Sequence, residues 1–125
     1  MKKKTLNKLV RDKIPNQIIK KGKSFKARKS NNILLDLADK LVEESKEACQ
    51  AIYELDHEGN LGPCGCCEEA FENVIEEMAD VIEVWSTICK KHGGISQNAI
   101  LKKVAEKRNK NGGFDDEIYL EWVEE

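Results

Sequence analysis

Two acidic clusters in this chain have the residue types and the spacing of a metal site. Each begins with two adjacent acidic residues and places a third carboxylate three positions further on: Glu43-Glu44-x-x-Glu47 and Glu76-Glu77-x-x-Asp80. Residues three apart on a helix share a face, so the second and third carboxylates of each cluster point the same way. The candidate metal ligands are therefore the four inner side chains, Glu44, Glu47, Glu77 and Asp80.

Both clusters interrupt apolar stripes with helical spacing. One stripe comprises Leu37, Leu41, Glu44, Ala48 and Ile52, and the other Ala70, Val74, Glu77, Val81, Val84 and Ile88. Glu44 and Glu77 thus occupy positions where the pattern calls for a hydrophobic residue. A buried carboxylate without a partner is costly, and facing carboxylates repel one another. A divalent cation between the two helices would offset both costs.

The ligand chemistry favours Mg²⁺, with Mn²⁺ as a possible substitute, because hard oxygen donors without histidine or cysteine suit these ions better than zinc. Such a cation usually bridges to the phosphate oxygens of a substrate. Glu43 lies beside the ligands but is turned by about 100° around the helix, which suits it to orient a water molecule. The candidates for phosphate contacts are Lys8, Arg11, Lys103, Lys107 and Arg108.

Charge is unevenly divided along the chain. Residues 1–30 carry twelve Lys and Arg but only one acidic residue, Asp12, although the net charge of the whole chain is −2. This basic arm could be a nucleic-acid-binding tail, or it could fold back on the acidic body and supply cations to an anionic substrate. The apolar residues within the arm favour folding back, because a disordered polybasic tail has no need of them.

The helices that must position these residues can be read from periodicity and stop signals. We predict a short helix over 15–21, long helices over 33–57 and 67–91, and a third substantial helix capped by Ser96. The long helices should form an antiparallel hairpin, which brings the acidic clusters side by side. Segments 23–28 and 116–122 are candidates for a small β-pairing. The predicted fold is one all-α domain over residues 1–125, with the basic arm at 1–30.

Composition narrows the class of protein further. Of 125 residues, 35% are charged, and we find no signal-peptide pattern and no long apolar run, so we expect a cytoplasmic protein without membrane association. Five cysteines fit a reducing compartment. Three of these, Cys64, Cys66 and Cys67, lie where the loop between the long helices meets the second helix. With His57 they could bind zinc, or they could be free or redox-active thiols.

The acidic pair resembles the signature of the MazG-like, all-α nucleoside triphosphate pyrophosphohydrolases, a superfamily that includes dimeric dUTPases and phosphoribosyl-ATP pyrophosphohydrolase. The likeness extends to both ends of the chain. The opening Lys8-Leu9-Val10-Arg11-Asp12-Lys13-Ile14-Pro15 is similar to that of a small branch of the family. The close is similar too, in Lys107-Arg108, Gly112-Gly113-Phe114 and Ile118-Tyr119-Leu120.

The resemblance implies Mg²⁺-dependent hydrolysis between the α and β phosphates, which yields a nucleoside monophosphate and pyrophosphate. Glu44, Glu47, Glu77 and Asp80 would then be metal ligands, and Glu43 would assist the attacking water. The chain departs from the family pattern in its long cysteine-containing insertion between the motifs. A homodimer or higher homo-oligomer is expected, because a lone helix hairpin leaves apolar faces uncovered. Phosphoribosyl-ATP pyrophosphohydrolase and a non-catalytic helical nucleic-acid-binding protein are the alternative functions.

Overall fold

The computed structural model describes residues 2–59 and 66–125, and within these ranges all regular structure is helical. The helices are α1 (Ile14–Lys20), α2 (Ile33–Gly59), α3 (Cys66–Lys91) and α4 (Gln97–Asn111). Each of the helices predicted from the sequence is present, with ends that differ by one or two residues. The all-α fold class is therefore confirmed.

Local signals explain where the helices start and stop. Pro15 lies in the first turn of α1, where its missing N–H removes no helical hydrogen bond. Gly22, just beyond the end of α1, has φ of 73°, a left-handed conformation that favours glycine. The Asn32 side chain accepts a hydrogen bond of 3.3 Å from Leu35 N at the start of α2. The predicted cap of α4 is also present, since Ser96 Oγ accepts a 3.0 Å bond from Ala99 N.

Helices α2 and α3 pack against each other and form the core. The buried apolar residues are Leu37, Ala48, Ala51, Ala70 and Val84. Leu37 near the start of α2 and Val84 towards the end of α3 line the same cleft, so the helices run antiparallel. Ala51 and Ala70 are buried towards the opposite end. Alanines permit close helix approach, and the acidic clusters fall midway along this interface. Ile52 was expected in the core but is 45% exposed, and its neighbour Ala51 takes the interface position.

The C-terminal third of the chain adds little buried surface. Helix α4 contains no buried residue, and every residue from 101 to 125 is exposed. The predicted pairing of residues 23–28 with 116–122 is not formed, because neither segment is a strand. A two-stranded ribbon needs an apolar face packed on other structure for stability, whereas Ile118, Tyr119 and Trp122 are at least 80% exposed here.

None of the helices in the described ranges is long and apolar enough to span a bilayer.

Candidate metal centre

Three of the four predicted ligands meet at the middle of the α2–α3 interface. Glu44, Glu77 and Asp80 each present one carboxylate oxygen, and these oxygens lie within 4.8 Å of one another. Glu47 is not part of this group and is exposed. Two residues that are three positions apart on a helix differ in direction by about 60°, because three steps rotate the chain by about 300°. On α2, Glu47 ends on the exposed side of the helix, although its carboxyl still neighbours that of Glu44. On α3, Asp80 stays beside Glu77.

The carboxylates have oxygen atoms that the described part of the chain leaves without partners. Glu44 is only 7% exposed, and Oε2 of Glu44 and Oε2 of Glu77 are buried without a hydrogen-bond donor. A buried acceptor without a donor is costly. An oxygen-only ligand set with free lone pairs suits Mg²⁺ or Mn²⁺. The residues present therefore fit the cation that the sequence predicts.

Electrostatics at Glu44 also indicate that the positive charge beside it does not fully offset its burial. Burial raises the pKa of Glu44, and the neighbouring Glu47 carboxyl raises it further; Lys40 acts in the opposite direction but does not reverse the shift. The carboxyl thus resists ionisation more than an ordinary glutamate. A divalent cation would favour the ionised form.

Lys40 is a site residue that the sequence reasoning missed. Its Nζ lies 3.1 Å from Glu44 Oε1 and 3.3 Å from Glu43 Oε2, and its side chain is only 15% exposed. Burial lowers the pKa of Lys40, but hydrogen bonds to Glu44 and Glu43 outweigh that effect and the pKa is raised overall. The signal was its spacing of three and four residues from these glutamates, which is common on exposed helix faces as well.

The basic arm lies against the acidic body, as the interpretation of an arm that folds back predicted. Lys8 Nζ is 2.8 Å from Glu43 Oε1, and the Arg11 guanidinium donates to Asp80 Oδ1. The hydrogen bond from Lys8 lowers the pKa of Glu43, with a smaller contribution from Lys40. Both arm cations predicted to contact phosphate are therefore beside the carboxylate cluster.

The three cationic candidates on α4 are not brought to this cluster. Lys103 pairs with Glu106 on its own helix, with Nζ 3.0 Å from Oε2, and Lys107 and Arg108 are exposed. None of the three lines the cleft beside the carboxylates. Their contact with a substrate stays a prediction.

A cleft of about 400 Å³ lies between the arm, α1 and the two long helices. Its walls combine aliphatic and polar side chains and include Leu9, Arg11, Ile14, Gln17, Leu37, Lys40, Glu44, Asp80, Glu83, Val84 and Thr87. Gln17, Glu83 and Thr87 were not among the sequence-predicted site residues, because isolated polar residues of these types carry no motif. The cleft has room beside the carboxylates for a small phosphorylated ligand.

The predicted cysteine site falls outside what the structure describes. Cys64 lies in the segment between residues 59 and 66, and the side chains of Cys66 and Cys67 are not described either. Zinc binding or free thiols at that loop therefore stay a prediction. Of the cysteines whose side chains are described, Cys49 and Cys89 are free thiols.

Fold and site together define an all-α protein with a carboxylate cluster suited to a divalent cation and an adjoining cleft lined by Arg11 and Lys40. Residues 34–111 match the family model of the MazG nucleotide pyrophosphohydrolase domain. The chain belongs to this family. Comparisons with curated proteins and with solved structures gave no significant match. The matched region contains the whole carboxylate cluster, whereas Lys8 and Arg11 of the basic arm lie outside it.

Proposed function

We propose that this protein is a Mg²⁺-dependent nucleoside triphosphate pyrophosphohydrolase that cleaves between the α and β phosphates, releasing a nucleoside monophosphate and pyrophosphate. The observation that carries the proposal is the convergence of Glu44, Glu77 and Asp80, with buried oxygen atoms that lack donors. In a member of a nucleotide pyrophosphohydrolase family, this arrangement is best explained by a cation that binds the substrate's phosphates.

In this proposal Glu44, Glu77 and Asp80 would hold the cation, and Glu47, whose carboxyl neighbours that of Glu44, would complete the set. When bound, the cation would supply positive charge to the phosphate oxygens and so favour attack at the α phosphorus. Lys8 and Arg11 contribute further charge to the phosphates, since charge-assisted hydrogen bonds to cationic side chains are among the stronger ones.

Glu43 is proposed as the base for the attacking water. Its carboxylate is ionised at neutral pH and so able to accept a proton. The hydrogen bond from Lys8 lowers its pKa, which makes it a weaker base while that contact is in place. The water oxygen forms a bond to the α phosphorus while the bond from that phosphorus to the bridging oxygen breaks. The electron pair leaves with pyrophosphate, and the water's proton passes to Glu43.

A pyrophosphate-release screen tests the proposal. The substrates are ribo- and deoxynucleoside triphosphates, damaged nucleotides and phosphoribosyl-ATP, each with Mg²⁺ or with EDTA. We expect Mg²⁺-dependent release with the wild type, and loss of release in Glu44→Gln and Asp80→Asn. Glu72→Gln, an exposed carboxylate on the same helix as Asp80, serves as the matched control and should retain activity. Normal turnover in Glu44→Gln would show that the carboxylate cluster does not hold a catalytic metal ion.

The nucleic-acid-binding alternative is less well supported. Lys8 and Arg11 use their charge on Glu43 and Asp80 of the same chain, which leaves the arm less able to track a phosphate backbone. If the screen detects no release but the protein binds DNA or RNA with steep salt dependence, the nucleic-acid function replaces the enzymatic one.

We also propose that the chain assembles as a homo-oligomer. A folded monomer of this mass exposes roughly 6800 Å², whereas this chain of 14.2 kDa exposes 11527 Å². Helix α3 carries an exposed apolar stripe at helical spacing, formed by Phe71, Ile75, Met78 and Ile82. A second copy of the hairpin, packed on this stripe, would cover it and build the second layer that a helical domain needs.

Light scattering after size exclusion tests the assembly. We expect a mass of at least two chains for the wild type and a shift to the single chain for Ile75→Glu. Exposed Glu72→Gln is again the control and should keep the wild-type mass. A monomeric wild type at micromolar concentration would contradict this proposal and leave the catalytic one standing.

A further inference from the structure

We infer that Asp80 has two alternative cationic partners, Arg11 of the basic arm and the divalent cation, and that cation binding frees Arg11 to contact the substrate's phosphates. The inference rests on the metal site of the proposed function. It concerns a positioning contact that the family model does not contain, because Arg11 lies outside the matched residues 34–111.

The starting observation is that the Arg11 guanidinium donates to Asp80 Oδ1, while an Asp80 oxygen lies within 4.8 Å of oxygens of Glu44 and Glu77. Two side-chain cations thus border the cluster, Arg11 at Asp80 and Lys40 at Glu44. Glu77 has no ion-pair partner in the parts of the chain that are described. The two side-chain cations thus neutralise part of the negative charge of the three carboxylates, and a divalent cation would neutralise more of it.

Arg11 is the more easily displaced of these cations. Its side chain is 58% exposed, whereas that of Lys40 is 15% exposed and contacts two carboxylates of its own helix. Exposed ion pairs contribute little to stability, and salt screens them. A divalent charge among the three carboxylates would compete for Asp80 and repel the guanidinium only a few ångströms away. The Lys40 contact can persist because it also binds Glu43.

The released arginine would stay at the site. Leu9 and Ile14, which flank it in sequence, are both half-buried and line the cleft with it, so the arm remains in place when the ion pair breaks. A guanidinium matches phosphate oxygens in a two-pronged geometry. Arg11 would thus contact the Asp80 carboxylate in the metal-free protein and a phosphate of the nucleotide once cation and nucleotide are bound.

The exchange and a purely structural role of Arg11 predict opposite changes in cation affinity when Arg11 is removed. If Arg11 competes with the cation, removing it must tighten cation binding without nucleotide, because the two bindings are linked. The same change must weaken nucleotide binding, because a phosphate contact is lost. If Arg11 merely supports the shape of the site, removing it weakens both.

The first experiment is a Mn²⁺ titration by calorimetry on the full chain without nucleotide. Arg11→Met should bind Mn²⁺ about two- to five-fold tighter than wild type, the range expected for loss of one exposed ion pair, and should show a higher KM for the preferred triphosphate. Arg28→Met is the matched control and should leave both values unchanged, since Arg28 lies in the same arm and, among the described residues, donates to the Lys29 carbonyl rather than to the cluster. Glu44→Gln should bind Mn²⁺ far more weakly and so assign the titration to the cluster.

The second experiment needs no substitution. Mn²⁺ should speed tryptic cleavage after Arg11 in the wild type, and cleavage after Arg28 provides an internal control. Two results would overturn the exchange alone. One is Mn²⁺ binding that is abolished in Glu44→Gln but is unchanged or weaker in Arg11→Met. The other is a rate of cleavage after Arg11 that Mn²⁺ does not raise. Absence of Mn²⁺ binding, or binding that Glu44→Gln does not weaken, would overturn the metal site of the proposed function together with it.

Discussion

Lys40 and Glu44 lie one helical turn apart on α2, and the Lys40 ammonium is 3.1 Å from Glu44 Oε1. The pair is mostly shielded from water, with 15% of the lysine side chain and 9% of the glutamate side chain exposed. A single cation from the same helix thus accompanies the most buried carboxylate of the cluster. It neutralises one oxygen and leaves the other, Oε2, unbonded within the described residues.

Replacement of Lys40 by methionine should destabilise the metal-free protein by about 1–3 kcal/mol, because it leaves a buried acceptor without its donor. Urea unfolding in EDTA at neutral pH measures the change. Lys102→Met removes an exposed lysine from α4 and should alter the free energy of unfolding by much less. Equal free energies of unfolding for the two variants would show that the Lys40 contact does not stabilise the protein.

Stability of the metal-free protein should depend on pH through Glu44. Its folded-state pKa is raised above the ordinary value of 4.5, so its contribution to stability is fully present below the unfolded pKa. That contribution is lost as the pH rises through the folded pKa. Wild type should therefore lose stability relative to Glu44→Gln as the pH rises from the ordinary pKa of 4.5 through the raised folded-state pKa of Glu44. Urea unfolding of both proteins in EDTA at several pH values tests this, and parallel curves would contradict it.

Glu43 should titrate at a higher pH when Lys8 is removed. Lys8 is the main cause of the lowered pKa of Glu43, so Lys8→Met should raise that pKa towards the ordinary value. If Glu43 is the base, the acid limb of the pH–rate profile should move upward with it, because a protonated carboxyl cannot accept the water's proton. Carbon-13 NMR of the Glu43 carboxyl and the rate profile are the two measurements. Lys4→Met, another exposed arm lysine, is the control.

Arg108, if it binds phosphate, should act on the cleft of another subunit. It does not line the cleft of its own chain, and the protein is proposed to assemble. Arg108→Met should then lower kcat/KM by about ten-fold, the effect of one lost charge-assisted hydrogen bond. Mixed assemblies of Arg108→Met with Glu44→Gln should regain activity, because one cleft then has both intact groups. A mixture of Glu44→Gln with Asp80→Asn should not, since both changes fall in the same cluster.

Much of this arrangement can be predicted from local patterns. Glu44 and Glu77 were expected at the helix interface because they interrupt apolar stripes, and both lie there with buried oxygen atoms. Helix periodicity also located α2 and α3. Periodicity resolves the rotation of a helix only to within a residue or so, and this explains why Ile52 was placed in the core in place of Ala51. The assignment of Glu47 as a ligand stays a prediction.

What local patterns could not supply depends on contacts between distant segments. Arg11 and Asp80 are 69 positions apart, and no spacing rule connects them. The β-pairing was predicted from apolar alternation alone, without evidence that anything would support the ribbon. Lys40, by contrast, lies close to Glu44 in sequence, and it was missed because this spacing is too common on helices to indicate a special role.

Helix α4 has 15 residues and none of them is buried, and a helix of that length is marginal in water when nothing packs on it. The capping bond at Ser96 satisfies one of its backbone donors but does not shield the helix from solvent. Its amide hydrogens should therefore exchange far faster than those of α2 and α3 in dilute protein. If copies of the chain cover α4, a higher protein concentration should selectively slow the amide exchange of this helix. Protection of α4 against exchange would then report the concentration of neighbouring chains.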